Sequence, residues 1–217
     1  MREEIRERII AAADDLFYGR GFTQVGMDAV RDAAGVSLRS LYTQFPSKAD
    51  LVIAVLTRRH ETWTAGVTGR TRAVPDPRTR LLAVYDYLAD WFEEADFRGC
   101  GFINAFGELG AANPRVAEVV REHKRGFQRF VDQLVAEAGG PPPLGPQLAI
   151  LAEGAQTTAA IAGAPDAAAH ARAAAQTLIH VALAATGSSA PWPSATKAGV
   201  HAEAPPVPRR NTSETGE

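Results

Sequence analysis

The side chains best suited to covalent or metal chemistry in this 217-residue chain are one cysteine and five histidines. Cys100 could act as a nucleophile with His123 as its base, but no Asp or Asn is placed by the sequence to orient that histidine. A free cysteine is far more often a small apolar filler. The histidines show no paired metal-ligand spacing, so we expect no enzyme activity, no metal and no cofactor. They are His60, His123, His170, His180 and His201.

A second group of side chains has the chemistry to bond bases. Arg39 can donate two hydrogen bonds to guanine and Gln44 can bond adenine, and each such pair discriminates between bases by about 1–3 kcal/mol. Both residues lie between Ser37, whose hydroxyl suits a helix N-cap, and Pro46, which ends a helix. The sequence therefore predicts a short helix that carries these polar groups.

The elements around this short helix form a familiar arrangement. Apolar residues from Ile5 to Leu16 recur at helical spacing, and Met27, Val30 and Ala34 predict a short second helix. Gly35 follows it, where a left-handed residue would redirect the chain. Helix, glycine turn and helix together are the helix-turn-helix motif, whose second helix can enter the major groove. A helical hairpin of this length also occurs in many protein cores.

The remainder of the sequence predicts more helices. Ser47 and Asp50 resemble a capping box that opens a long helix, while Asp76-Pro77 and Asn113-Pro114 each place a capping side chain before a proline. Two alanine-rich helices are predicted at about 145–163 and 165–186. No strand period is visible, so we expect an all-α fold of about nine helices.

Composition bounds the class of protein. No apolar run is long enough for a membrane span, and the charges after Met1 argue against a signal peptide. The lone cysteine favours a reducing cytoplasm. The formal net charge of −2 lacks the basic excess of many nucleic-acid-binding proteins, so DNA binding would have to come from the placement of charges. Residues 188–217 are rich in Pro, Ser, Thr, Ala and Gly and predict a disordered tail.

Three segments of the first sixty residues resemble the TetR family of transcriptional regulators. They are Gly21-Phe22, Ala33-Ala34-Gly35-Val36-Ser37 and Leu41-Tyr42-Thr43-Gln44-Phe45-Pro46-Ser47-Lys48-Ala49-Asp50-Leu51. The resemblance implies an N-terminal three-helix DNA-binding head over residues 1–50. It also implies a helical effector-binding and dimerisation domain over residues 51–187. We therefore expect a homodimeric transcriptional regulator, a repressor in our interpretation, which binds a palindromic operator in double-stranded DNA and responds to a small molecule.

The resemblance and the chemistry of each side chain together give a set of expected DNA contacts. Arg39 and Gln44 would contact bases, whereas Tyr42 and Lys48 would contact phosphates. Two positions depart from the family pattern, because Gly26 can cap a helix but supplies no hydroxyl, and Arg31 offers either a phosphate contact or only a surface charge. The expected DNA-binding residues are Gly26, Arg31, Ser37, Leu38, Arg39, Ser40, Tyr42, Thr43, Gln44 and Lys48.

The second half of the sequence supplies aromatic and polar residues that suit a mainly apolar ligand pocket, although most aromatics at helical spacing are core. The expected effector-binding residues are Tyr85, Leu88, Trp91, Phe92, Phe102, Asn104, Phe106, Glu108, His123, Phe127, Phe130 and Gln156. As the resemblance implies, the two alanine-rich helices would pair with those of a second copy into a four-helix interface. A helical interaction module without an effector is the alternative.

Overall fold

The computed structural model describes residues 2–186, and the predicted tail at 188–217 lies outside them. Over the described range the chain forms nine α-helices and no strand, which confirms the all-α prediction. The helices are α1 (Arg2–Arg20), α2 (Met27–Ala34), α3 (Leu38–Gln44), α4 (Lys48–Arg72), α5 (Pro77–Phe92), α6 (Gly101–Leu109), α7 (Pro114–Glu137), α8 (Leu144–Ala162) and α9 (Ala167–Thr186).

The turn between α2 and α3 forms as its residues predict. Gly35 adopts the left-handed conformation with φ 61°, and its N–H donates to the carbonyl of Asp32 at 3.2 Å. Ser37 then caps α3, since its Oγ accepts the backbone N–H of Ser40 at 3.1 Å. The chain can therefore reverse within a few residues and still satisfy the ends of both helices.

The three helices of the head share one apolar core with the first half of α4. Phe17, Leu41 and Phe45 are almost completely buried, and Leu51 and Leu56 of α4 are fully buried beside them. The same cluster extends to Phe102 of α6 and Val116 of α7. The head is consequently packed against the body through α4, α6 and α7.

The second core lies among α5, α7, α8 and α9. Leu88, Phe127, Leu148 and Ala175 are among its buried members. Polar contacts tie the same helices together, because the Tyr85 hydroxyl donates to the carbonyl of Leu148 at 2.8 Å. This core holds α5, α7, α8 and α9 together.

The predicted starts of α4, α5 and α7 are confirmed by their caps. Ser47 accepts the N–H of Asp50 at 3.2 Å, Asp76 accepts the N–H of Thr79 at 2.8 Å, and Asn113 accepts that of Val116 at 3.2 Å. No such signal precedes α6, whose N-cap Cys100 makes no side-chain capping bond. None of the described helices is long and apolar enough to cross a membrane.

The glycine turn supports a first prediction. Gly35→Ala should lower the free energy of unfolding by about 1 kcal/mol or more, because an L side chain is strained in the left-handed conformation. Gly19 provides the matched control, since it lies in α1 with open space around its missing Cβ, and Gly19→Ala should not destabilise the protein. Urea unfolding of both variants measures the difference. Equal stability of the two variants would contradict the left-handed turn.

Candidate functional site

The surface of α3 has two distinct faces. Leu41 and Phe45 are 0% and 2% exposed and anchor the helix to the head, whereas Leu38 and Tyr42 are 42% and 45% exposed. Arg39 points from the same exposed face. The helix is therefore held by one side and presents the other to solvent.

Most polar side chains of this face already bond their own backbone or a neighbour. Thr43 Oγ1 donates to the carbonyl of Arg39 at 2.7 Å, and the hydroxyls of Ser37 and Ser40 lie 2.8 Å apart. Gln44 Nε2 reaches the carbonyl of Arg2 at 3.4 Å. Within residues 2–186 the Arg39 guanidinium has no ion pair or hydrogen bond, so it can meet a new acceptor without breaking a bond.

The two basic residues that flank this face, Arg31 and Lys48, differ in their bonding partners. Arg31 is held by two carboxylates, those of Asp28 and Asp32, each at 2.7 Å. Lys48, at the start of α4, donates to the carbonyl of Thr23 at 3.3 Å. Partial burial lowers the pKa of Lys48. Gly26 is the N-cap of α2 in an extended conformation and makes no side-chain cap.

A polar joint connects the head to α6, and the sequence analysis did not identify it. Glu108 Oε2 accepts both the backbone N–H and the hydroxyl of Thr23, at 2.7 and 2.8 Å. Tyr18 of α1 donates to the carbonyl of Gly99 at 2.8 Å and accepts the N–H of Arg98 at 2.8 Å. Neither contact follows from helical spacing, because each joins residues that are about eighty positions apart.

A cavity of about 280 Å³ lies in the body among α1, α4, α5, α6, α7 and α8. Four of the expected effector-binding residues line it. These are Trp91, Phe102, His123 and Gln156. The structure adds lining residues that the sequence analysis did not single out, including Arg58, Arg59, Trp63, Tyr87, Glu94 and Asp96. The stretch from Arg58 to Trp63 contains only one apolar side chain, so helical spacing there gives no sign of a cavity.

The other expected effector-binding residues lie elsewhere. Tyr85, Leu88 and Phe92 belong to the second core, and the buried Tyr85 hydroxyl is bonded to the backbone, with burial raising its pKa. Of the remaining five, Phe127 and Phe130 line an outer groove beside His60, and the other three lie on α6. Those on α6 are Asn104, the exposed Phe106 and the joint residue Glu108.

His123 forms part of an aromatic wall of the cavity. Its ring stacks on Phe102 with centroids 3.6 Å apart, and its Nδ1 lies 2.9 Å from Nδ1 of His60. Burial, with the nearby charge of Lys124, lowers the pKa of His123 to about 3. The ring is consequently neutral near pH 7, and one proton serves both Nδ1 atoms.

Cys100 is buried at the cavity wall, and its Sγ lies 3.4 Å from Lys124 Nζ. Lys124 also forms a 2.5 Å ion pair with Glu153. Among the described residues no group of three or more His, Cys, Asp and Glu side chains could hold a metal ion. The arrangement thus offers a binding cavity and an exposed helix face, joined by α4.

The chain is similar in sequence to known transcriptional regulators. Residues 9–55 match the protein family described as "Bacterial regulatory proteins, tetR family". The HTH-type transcriptional activator FasR of Mycolicibacterium smegmatis is 34% identical over 139 residues, which are 64% of this chain and 62% of FasR. The matched region therefore spans less than two thirds of FasR. The HTH-type transcriptional regulator TtgR of Pseudomonas putida is 40% identical over 60 residues, 28% of this chain and 29% of TtgR.

Solved structures extend the likeness to the whole described fold. A TetR transcriptional regulator from Streptomyces avermitilis is 30% identical with a TM-score of 0.69, and the alignment covers 82% of this chain and 97% of that one. The TetR-family regulator SCO4454 from Streptomyces coelicolor is 27% identical with a TM-score of 0.76, covering 83% and 96%. A helix-turn-helix head on an all-helical body defines a class of DNA-binding transcriptional regulators. The chain belongs to the TetR family within that class.

The joint at Glu108 supports a second prediction. Glu108→Ala should remove the acceptor of the Thr23 N–H, and hydrogen exchange at that amide should become about tenfold faster or more, because hydrogen bonds to charged groups contribute about 1.5–3 kcal/mol. Exchange measured by NMR or mass spectrometry reports it. Glu61→Ala, which removes an exposed carboxylate of α4, is the control. Unchanged exchange in both variants would mean that Glu108 does not hold the head.

Proposed function

We propose that this regulator acts as a homodimer, binds a palindromic operator through α3, and is a repressor controlled by a small molecule in the cavity. One observation carries the proposal, namely that Leu41 and Phe45 are buried while Arg39 and Tyr42 face outward on the same short helix. We place the DNA-binding head at residues 1–50 and the effector and dimerisation domain at residues 51–187. The site of action would be the cytoplasm.

The roles of the DNA-contacting residues follow from their chemistry and exposure. Arg39 would read a guanine, and Gln44 with Thr43 would contact neighbouring bases. Tyr42 and Lys48 would bind phosphates and set the register of the head on the duplex. The residues proposed for the margins of this surface are Gly26, Arg31, Ser37, Leu38 and Ser40. Because Arg31 is already paired with two carboxylates, a phosphate contact would require it to exchange those partners.

The dimer proposal is supported by the outer faces of α8 and α9. Ile150 and Ile161 of α8 are 70% and 83% exposed and lie three turns apart on one side, and Val181 of α9 is 50% exposed. Over 144–162 and 167–184, the only Asp, Glu, Lys or Arg residues are Glu153 and Arg172, and each is partly buried and paired with a residue of another helix. By contrast, the outer face of α7 carries ion pairs such as Arg125–Glu118 at 2.9 Å. Depletion of charge with retained apolar surface is typical of the core of an interface.

The mechanism of control would run along α4. This helix begins at Lys48 in the head and carries Trp63 at the cavity, so a ligand that moves Trp63 also tilts the head. A changed tilt alters the separation of the two α3 helices, which must match half-sites about 34 Å apart. Coupling between two such sites typically amounts to about 1–3 kcal/mol. FasR is named an activator, whereas we propose repression for this chain.

The third prediction separates base contacts from phosphate contacts. Duplexes selected from a random library with the wild-type protein provide the test sequences. Tyr42→Phe should weaken binding to all of them by about twofold to tenfold, because it removes one hydrogen bond. Arg39→Ala should instead lose about 1–3 kcal/mol of preference at one base pair. Quantitative mobility shifts measure both variants.

The control for these DNA measurements is Arg70→Ala, which removes an exposed arginine of α4 that pairs with Asp90 in the body. It should leave DNA affinity unchanged. If Arg39→Ala weakens all sequences equally, Arg39 is a phosphate contact. If none of the head variants differs from the control, α3 is not the DNA-binding surface.

The fourth prediction concerns the dimer. Ile161→Glu should convert the protein to a monomer at micromolar concentration, because it places a charge in the proposed interface. Light scattering coupled to gel filtration measures the mass. Ile103→Glu is the matched control, since Ile103 is an exposed isoleucine of α6 outside the proposed interface and should leave the dimer intact. A wild-type monomer, or a dimer that survives Ile161→Glu, would refute the proposed interface.

A further inference from the structure

The cavity in the body has an aromatic wall. The rings of Trp63 and Tyr87 meet edge to face with centroids 6.0 Å apart, and Trp63 also meets His123 at 5.4 Å. Trp91 lines the same space, and Phe102 stacks on His123. Flat ligands can stack on aromatic rings. Cations bind to the faces of the rings, because those faces carry negative electrostatic potential.

Each of the two arginines of the cavity already faces a carboxylate. Arg59 Nε pairs with Asp14, and its guanidinium lies over the ring of Tyr18 at 3.8 Å. Arg58 Nη1 lies 3.8 Å from Glu7 Oε2. An anionic ligand would therefore have to compete with two carboxylates for these arginines.

The acidic groups at the cavity mouth, unlike the arginines, have no partner of opposite charge in the described part of the chain. Glu94 and Asp96 lie in the exposed segment between α5 and α6, and both line the cavity. Within residues 2–186 neither carboxylate forms an ion pair. Glu94 and Tyr87 line the same cavity, and burial, together with the negative charge of Glu94, raises the pKa of Tyr87. The lining carries three carboxylates and two guanidinium groups, so its formal charge is negative.

A buried amide completes the site. Gln156 is 3% exposed and lines the cavity, with Nε2 donating to the carbonyl of Ala152 at 3.4 Å. Its Oε1 accepts no hydrogen bond from residues 2–186, and it is not completely buried. The neutral His123 adds no positive charge there. Buried polar groups are normally bonded, so this oxygen is a ready acceptor for an N–H of a ligand.

We propose that the effector is a small planar organic cation with an N–H donor. Its ring would lie against Trp63, Tyr87 and Trp91, its charge would face Glu94 and Asp96, and its N–H would donate to Gln156. This inference rests on the proposed function, in which the cavity is the effector site. The volume of about 280 Å³ limits the ligand to a small molecule.

Three probes of similar shape test the charge preference on the full chain. They are 4-aminoquinoline, which is cationic near neutral pH and carries N–H donors, the neutral quinoline, and the anionic 1-naphthoate. Titration calorimetry without DNA should show that 4-aminoquinoline binds at least tenfold more tightly than the other two. Equal or tighter binding of quinoline or 1-naphthoate would overturn the proposed ligand class, and so would failure of 4-aminoquinoline to bind.

A set of variants locates the preference. Glu94→Gln combined with Asp96→Asn should reduce 4-aminoquinoline affinity about tenfold and leave quinoline affinity unchanged, since both changes are isosteric and lie on an exposed segment. The control is Glu93→Gln, an exposed neighbouring carboxylate that does not line the cavity, and it should have no effect. Unaltered affinity of the double variant would exclude the two carboxylates as the cation partner.

A further variant separates this inference from the proposed function. Trp91→Ala should weaken every probe that enters the cavity. If 1-naphthoate binds more tightly than 4-aminoquinoline and loses affinity in Trp91→Ala, the cavity is a ligand site and only the charge class is wrong. If Trp91→Ala leaves the binding of each probe unchanged, ligands do not use this cavity, and effector control through it fails as well. DNA binding by α3 is tested independently of both results.

Discussion

The architecture depends on the burial of one side of a very short helix. α3 has only 7 residues, too few to be stable by itself in water, and its orientation is set by Leu41 and Phe45 in the core of the head. The left-handed Gly35 and the Ser37 cap bring the chain into this position with its backbone groups satisfied. Because two apolar anchors and one turn define the helix, its opposite face stays exposed, and this is the face that we propose to bind DNA.

The second constraint is that α4 belongs to both parts of the molecule. Its first half fills the core of the head, and its middle lines the cavity with Arg59 and Trp63. The joint between Glu108 and Thr23 gives a further connection that does not pass through α4. In the proposed mechanism, a change in the cavity would reach the head along α4, and the joint to α6 would resist that movement.

Local signals in the sequence predict the elements well, whereas they predict the cavity poorly. Gly35, Ser37, Asp76 and Asn113 each act within four residues of their partners, so their roles can be deduced from spacing alone. Helical periodicity shows which face is apolar, but it does not show which neighbour covers that face. The aromatic residues of the second half lie in a core, in a groove, on α6 and in the cavity. Neither periodicity nor the family resemblance could predict which residue lies in which place. Glu94 and Asp96, in a segment without periodicity, gave no signal at all.

The central claim is that two outward α3 helices of a dimer address one DNA duplex. Hydroxyl-radical footprinting on a duplex enriched from a random library tests it most directly. The account predicts two protected patches related by two-fold symmetry, with centres about one helical turn, or 34 Å, apart. Failure to enrich any duplex, or a single unpaired patch of protection, would contradict it.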